Sequence, residues 1–350
     1  MTETRPMKTK RGSQVLGRGL ALAVLCSSAG LAAAQSSVTI FGVMDVGVQR
    51  LSNGGKNLSL VSIDGMQTSR IGFRGTEDLG NGLSASFHLE GAVGPDVGSG
   101  GDWRRRATVS VSDKAAGEVR LGRDYVPTFW NISRFNAFGT NGVGAASNLV
   151  YGFDGASSTA KTVIRSDNSV GYFLPSNLGG IYGQAMMAAG EGSTGKYVGG
   201  RLGYAQGSLD VAGAWSETTN TAAGTKFKVG NLGGSYTVDA FKLLGLYHVS
   251  KQATREQTNW VLGGTYTQGA HVLRFSHVRS KNRDSANGSD YSGKLLALGY
   301  VYNLSKRSSI YATTSRVQNS ATGKFLIPGG SAVLAGQSST GTELGIYHSF

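Results

Sequence analysis

Cysteine is nearly absent from this chain. Its one cysteine, Cys26, falls within the first 34 positions, so residues 35–350 contain none. Disulfide staples and thiolate metal sites are thereby excluded from almost the whole chain. Proline is scarce as well, at five residues, and no stretch beyond residue 35 stays apolar for the roughly 18 residues a spanning helix needs. The five histidines (His88, His248, His271, His277, His348) show no H-E-x-x-H spacing, and no G-x-S-x-G elbow occurs. Ser276 and His277 are adjacent, but neighbours on a strand point to opposite faces and cannot form a dyad. The residues thus indicate no enzyme, no metal site and no cofactor. Charge is basic overall, at +13, yet scattered rather than gathered into the stripe or module that nucleic-acid binding requires.

What is present begins with a leader. Arg5, Lys8, Lys10, Arg11 and Arg18 stand against a single Glu3, an apolar stretch Leu20-Ala-Leu-Ala-Val-Leu25 follows, and small residues end at Ala32-Ala33-Ala34. That order predicts a secretory signal peptide over residues 1–34, cleaved before Gln35. A lipoprotein reading of Cys26 is disfavoured by the large Leu25 before it. Losing five basic and one acidic residue with the leader lowers the net charge from +13 to +9. No linker or composition shift divides residues 35–350, which predicts one architecture.

Glycine is abundant, at 54 residues, and the chain reads as short alternating segments. Leu83, Ala85, Phe87 and Leu89 oppose Ser84, Ser86, His88 and Glu90; Leu209, Val211, Gly213 and Trp215 oppose Asp210 and Ser216. Alternation of this kind is the mark of half-buried strands. Short turns, such as Leu79-Gly-Asn-Gly82 and Gln206-Gly-Ser208, interleave with longer polar segments at 91–102, 218–226, 251–257, 280–290 and 319–339. Short and long connections in alternation, with about 16 strands, predict an all-β chain folded as a transmembrane antiparallel β-barrel. The last segment fits: Thr342, Leu344, Ile346, His348 and Phe350 share one face, Glu343, Gly345, Tyr347 and Ser349 the other. A closed barrel must pair its final strand with its first, leaving no edge in lipid, which makes Phe350 a candidate assembly residue.

Six pieces then resemble the Gram-negative porins of neisserial and betaproteobacterial type: Val38-Thr-Ile-Phe-Gly-Val-Met-Asp45, Ser69-Arg-Ile-Gly-Phe-Arg-Gly-Thr-Glu-Asp-Leu-Gly80, Gly117-Glu-Val-Arg-Leu-Gly-Arg123, Asn168-Ser-Val-Gly-Tyr172, Tyr302-Asn-Leu-Ser-Lys-Arg307 and Gly345-Ile-Tyr-His-Ser-Phe350. They run in order from first strand to last. Two departures stand out: Tyr347 replaces a frequent arginine, and the third long loop lacks the acidic stretch of many porins. The resemblance implies a sixteen-stranded homotrimer in the cell outer membrane, inserted by the barrel-assembly machinery among lipid and lipopolysaccharide, that passes small hydrophilic solutes by diffusion. It also implies that the third long loop folds inward and narrows the pore.

A pore's chemistry is its lining at the narrowest point. The third long loop, from Asp124 to about Lys161, carries Asp124 and Asp154 against Arg134 and Lys161 and brings little net charge. On the facing wall, alternation puts Arg70 and Arg74 on the polar side of the second strand, Arg104 and Arg106 on that of the fourth, and Arg165 on that of the sixth. An outward arginine near the midplane would cost about 2–4 kcal/mol, so these polar faces line the lumen, with alternate strands about 10 Å apart. Arg105 has the parity of the outer face. An arginine row predicts preference for anions. Carboxylates on lumen faces, Asp45, Asp78, Glu90, Glu118 and Glu343, are the alternative partners for these arginines. Phe129, Trp130, Phe135, Phe138, Tyr151 and Phe153 on the third loop read either as packing against the wall or as a stacking track of a substrate-specific channel. An exported β-sheet adhesin and an outer-membrane hydrolase are the remaining alternatives.

Overall fold

The computed structural model describes residues 1–2, 37–153, 162–190, 195–219 and 224–350; the leader expected over 1–34 lies outside them. Residues Ser36–Phe350 form one unit. Its strands are β1 (Ser37–Asn53), β2 (Lys56–Ser62), β3 (Arg70–Gly80), β4 (Leu83–Gly94), β5 (Ser99–Gly100), β6 (Arg106–Asp113), β7 (Gly117–Tyr125), β8 (Arg165–Phe173), β9 (Ile181–Ala188) and β10 (Lys196–Gln206). They continue as β11 (Leu209–Thr219), β12 (Lys226–Val238), β13 (Phe241–Gln252), β14 (Arg255–Gln268), β15 (His271–Asp284), β16 (Ser289–Asn303), β17 (Ser308–Asn319) and β18 (Ser339–Ser349). Two short helices, α1 (Pro127–Arg134) and α2 (Ser147–Val150), lie in the third long loop.

Each strand pairs antiparallel with its neighbours, and the ring closes where β18 pairs β1 from Val43↔Ser349 to Asn53↔Ser339. The early part of β1 pairs β3 and the later part pairs β2, so β2 and β3 form one stave interrupted by residues 63–69. With β5 a two-residue extension beside β4, the result is a closed barrel of 16 staves. Closure is completed by the last residue. Gly42 and Phe350 exchange both backbone hydrogen bonds at 3.1 Å, and a Cβ on Gly42 would lie 2.3 Å from Phe350 Cζ. Glycine at 42 therefore seats the terminal ring.

Turn chemistry explains one end of the barrel. Asn81 and Gly82 both take positive φ (53° and 87°), the requirement of a tight hairpin turn whose twist matches its strands. The other end departs from expectation at 251–257. Only Ala253 and Thr254 form a turn there instead of a long loop, because β13 runs to Gln252 and β14 starts at Arg255. Lys251 Nζ lies 2.6 Å from Glu256 Oε2 across the pair, and such opposite-charge pairs let strands continue into water.

The outer face carries the apolar rows: Leu243, Leu262, Leu273, Leu298, Leu344 and Ile346 are all exposed there. The inner face is two-sided. From β3 to β8 it is polar. From β11 to β17 it carries Ala212, Leu246, Val261, Val278, Leu295, Ala297 and Val317, all buried with Ile132, Phe135, Phe138, Val143 and Leu149 of the third loop. The loop folds inward because these positions offer it an apolar seat, each large side chain contributing about 2–3 kcal/mol on burial.

Candidate functional site

The third loop holds to the wall by shape. Glycines on inner faces make room for its side chains: a Cβ at Gly233 would lie 2.3 Å from Phe135 Cδ2, at Gly299 2.6 Å from Phe138 Cε1, and at Gly341 2.8 Å from Val143 Cγ1. Phe129, Phe135, Phe138 and Phe153 are all buried, so the loop aromatics pack against the wall; Trp130 and Tyr151 are partly buried. Polar ties reinforce this. Asn131 Nδ2 donates to the Ala212 carbonyl and to Asn231 Oδ1, both at 2.9 Å. Ser315 Oγ donates to the Val143 carbonyl at 2.6 Å. Arg134, on α1, pairs with Asp210 of the wall at 2.5 Å, so its charge is matched. Asp154 and Lys161 lie outside the described residues.

Facing the loop, one arginine–carboxylate network spans β3, β4, β6, β7 and β8. Glu90 on β4 receives Arg105 at 2.6 Å and Arg70 at 3.7 Å. Asp124 on β7, 2% exposed, receives Arg120 at 2.6 Å and Arg106 at 3.5 Å. Arg120 also pairs with Glu118 at 2.9 Å and lies 3.9 Å over the Phe173 ring. Arg123 pairs with Asp167. Arg165 donates to Tyr125 Oη at 2.7 Å, and Arg105 donates to the same oxygen at 2.9 Å. Six arginines thus stand against four carboxylates. Arg74, one pleat nearer the turn end, is exposed and ranges over the Phe41 ring at 5.2 Å.

Of the five arginines expected at the constriction, Arg70, Arg106 and Arg165 belong to this network and Arg74 lies beside it. Arg104 does not: it is 82% exposed in the loop before β6 and pairs with Asp102. Arg105, expected on the outer face, occupies the interior instead. Strand pairing of β6 begins only at Glu90↔Arg106, so period-two parity does not extend back to 104 and 105. A second parity break lies in β8. The β7–β8 register shifts between Gly122 and Asp124 and Asn168 takes φ 52°, a bulge. Ser166, rather than Asp167, is therefore buried along with Ser169. Asp124, expected in the loop, is a wall residue of β7. Arg120 stands outside the expected row, although its alternation with Val119 and Leu121 marks it as lumen-facing.

The other lumen carboxylates have local tasks. Asp78 accepts from the Gly80 amide at the turn. Asp45 accepts from Tyr311 Oη at 2.6 Å and from the Met66 and Gln67 amides, pinning residues 63–69 inward. Glu343 accepts from the Val143 amide at 3.4 Å, near the tip of the third loop.

A closed barrel with an inward loop packed on one wall and an arginine-rich wall opposite is a pore architecture, and comparison with known proteins agrees. The Gram-negative porin family model matches residues 21–322. The chain belongs to that family. Among similar porins, Outer membrane porin protein 32 of Delftia acidovorans is 35% identical, over 95% of this chain and 99% of the relative. The solved anion-selective porin from Comamonas acidovorans superposes with a TM-score of 0.80 at 30% identity, covering 90% of this chain and all of that one. OmpT of Vibrio cholerae in a trimer form shares the fold at TM-score 0.70 and 15% identity, over 90% of this chain and 99% of that one. This porin is an outer-membrane channel rather than an enzyme.

Proposed function

We propose that the porin passes small hydrophilic solutes with a preference for anions, selected at a constriction between the third loop and the wall formed by Arg70, Arg74, Arg106 and Arg165 with Arg105 and Arg120. The observation carrying this reading is the charge balance of that wall: Arg70, Arg105, Arg106, Arg120 and Arg165 stand against Glu90, Glu118 and Asp124, with Arg74 exposed beside them. Arg74 is exposed and Arg165 half-buried, and a surplus of positive charge at a water-filled pore attracts anions over about 8 Å at physiological salt. Its partner loop adds little countercharge among the described residues, since Arg134 is matched by Asp210. The anion-selective porin from Comamonas, similar over its whole length, supports the same direction. The test is the reversal potential of refolded protein in a planar bilayer under a salt gradient. An anion-selective sign is expected, weakened in Arg74→Gln and in Arg165→Gln; a cation-selective sign would overturn the arginine wall and leave the porin.

The remaining elements of the reading follow the family. Residues 1–34 serve as a signal peptide removed before Gln35, and residues 35–350 are the barrel. The protein assembles as a homotrimer, as the trimer form of OmpT does, among outer-membrane lipid and lipopolysaccharide. The terminal strand ending at Phe350 is recognised by the barrel-assembly machinery.

A further inference from the structure

On the outer face of β15–β17, three cations stand together without a carboxylate. Arg279 and Lys294 are direct cross-strand partners, in the same row as Trp260 and Gln318. Arg316 lies diagonal to Lys294, since it pairs with Leu296. All three side chains are exposed, and none makes an ion pair among the described residues. Like charges placed directly opposite on a sheet repel, because their Cβ atoms are only about 5 Å apart. The row further out is balanced: Lys281 and Arg283 share Asp290, and Lys251 meets Glu256. The unbalanced trio is therefore local and not a general feature of this rim.

Its height gives it meaning. From His271, which stacks with Tyr300 and meets the tilted ring of Tyr302 in the aromatic girdle at the turn end, to Arg279 the strand rises about 27 Å. At a tilt near 40° that is about 21 Å of height, close to the apolar band of a barrel. Leu273, Phe275, Leu296 and Leu298 occupy the interval, with half-buried His277 beside Leu296. Arg279 and Lys294 thus stand where the band ends on the long-loop side, with Trp260 (56% exposed) beside them as an interface anchor.

We propose that Arg279, Lys294 and Arg316 form a binding site for the phosphorylated headgroup of an outer-leaflet glycolipid, whose acyl chains lie along Phe275, Leu296 and Leu298. A phosphate bridging the trio removes their mutual repulsion, and the apolar strip below holds the chains that a free phosphate lacks. This rests on the porin reading, which turns the long loops outward.

The test uses the full barrel in detergent, with bound glycolipid counted by native mass spectrometry after extraction from outer membranes. The triple variant R279Q/K294Q/R316Q is expected to lose the phosphoglycolipid, with affinity about a hundredfold lower, and to keep its conductance and reversal potential, because no lumen group changes. Delipidated wild-type barrel is expected to rebind bis-phosphorylated glycolipid but not the dephosphorylated form, and inorganic phosphate at equal concentration is expected not to displace it. Equal binding of the dephosphorylated lipid, full displacement by inorganic phosphate, or undiminished retention by the triple variant would each overturn the site. The wild-type comparison stands even where the variant fails to fold. Altered oligomeric size of a folded triple variant, with retention unchanged, would assign the trio to contact with a second copy of the chain and likewise overturn the proposal. Absence of conductance in the wild type would count against the porin reading instead.

Discussion

Replacing Gly233 with alanine should loosen the third loop from its seat. The new methyl carbon would lie 2.3 Å from Phe135 Cδ2, 2.7 Å from Cγ and 3.0 Å from Cβ, where ordinary contact begins at 3.4 Å. The ring or the backbone must therefore yield by about 1.1 Å. Phe135 has no free side to turn to: it is fully buried, in the cluster shared with Ile132, Phe138 and Leu246. Overpacking of this kind costs about 1–3 kcal/mol, and the cheapest relief is displacement of the loop toward the lumen. Two measurements follow: a lower unfolding midpoint in denaturant titration of micelle-folded protein, and a lower or noisier single-channel conductance. Gly230→Ala is the matched control. It lies on the same strand, and a Cβ there meets nothing within 4 Å, so both readouts should stay at wild-type values. If Gly233→Ala matched Gly230→Ala in stability and conductance, the seat would not be what holds the loop.

Arg120→Gln leaves Glu118 without its arginine and Asp124 with Arg106 alone in a buried network, which should destabilise the barrel by about 3 kcal/mol in denaturant titration, whereas exposed Arg74→Gln should leave stability within about 0.5 kcal/mol and act on ion preference alone. Tyr311→Phe deletes the donor to Asp45 at 2.6 Å and should cost about 1.5–3 kcal/mol, read as a lower heat-unfolding temperature on gels; an unchanged temperature would remove the Tyr311–Asp45 pin from the account. Phe350→Ala removes the ring seated on Gly42 and keeps the closing backbone bonds, so insertion into bilayers should slow while the conductance of inserted channels stays unchanged. Faster or equal insertion would contradict a role for the terminal ring.

Legibility in the sequence followed the regularity of the backbone. Where strands are uninterrupted, as in β4 and β18, period-two alternation alone assigned each side chain to lipid or lumen, and the placements of Phe87, Glu90, Glu343 and Leu344 agree with it. At the start of β6 and across the bulge in β8 the period slips, and at the first of these the parity expected for Arg104 and Arg105 fails. A signal for the loop seat was available but indirect: residues 294–302 read Lys-Leu-Leu-Ala-Leu-Gly-Tyr-Val-Tyr, apolar on both faces, which a strand with a wet inner face has no reason to be.

The sequence by itself determined the architecture, because alternation, turn residues and the closing aromatic strand are local properties, most of them repeated many times over, and the family entered through six ordered motifs that resemble it. Register and parity also brought Arg70, Arg74 and Arg106 to neighbouring stretches of the inner wall, but they failed for Arg104, which lies before the pairing of β6 begins. Only the tertiary structure decided which carboxylate answers which arginine, that Asp124 is wall rather than loop, and that glycines 233, 299 and 341 seat the loop. Those outcomes depend on close approach between segments as much as 200 residues apart, such as Val143 and Glu343, and on single-residue bulges that shift a side chain from one face to the other. Neither leaves a periodic trace along the chain.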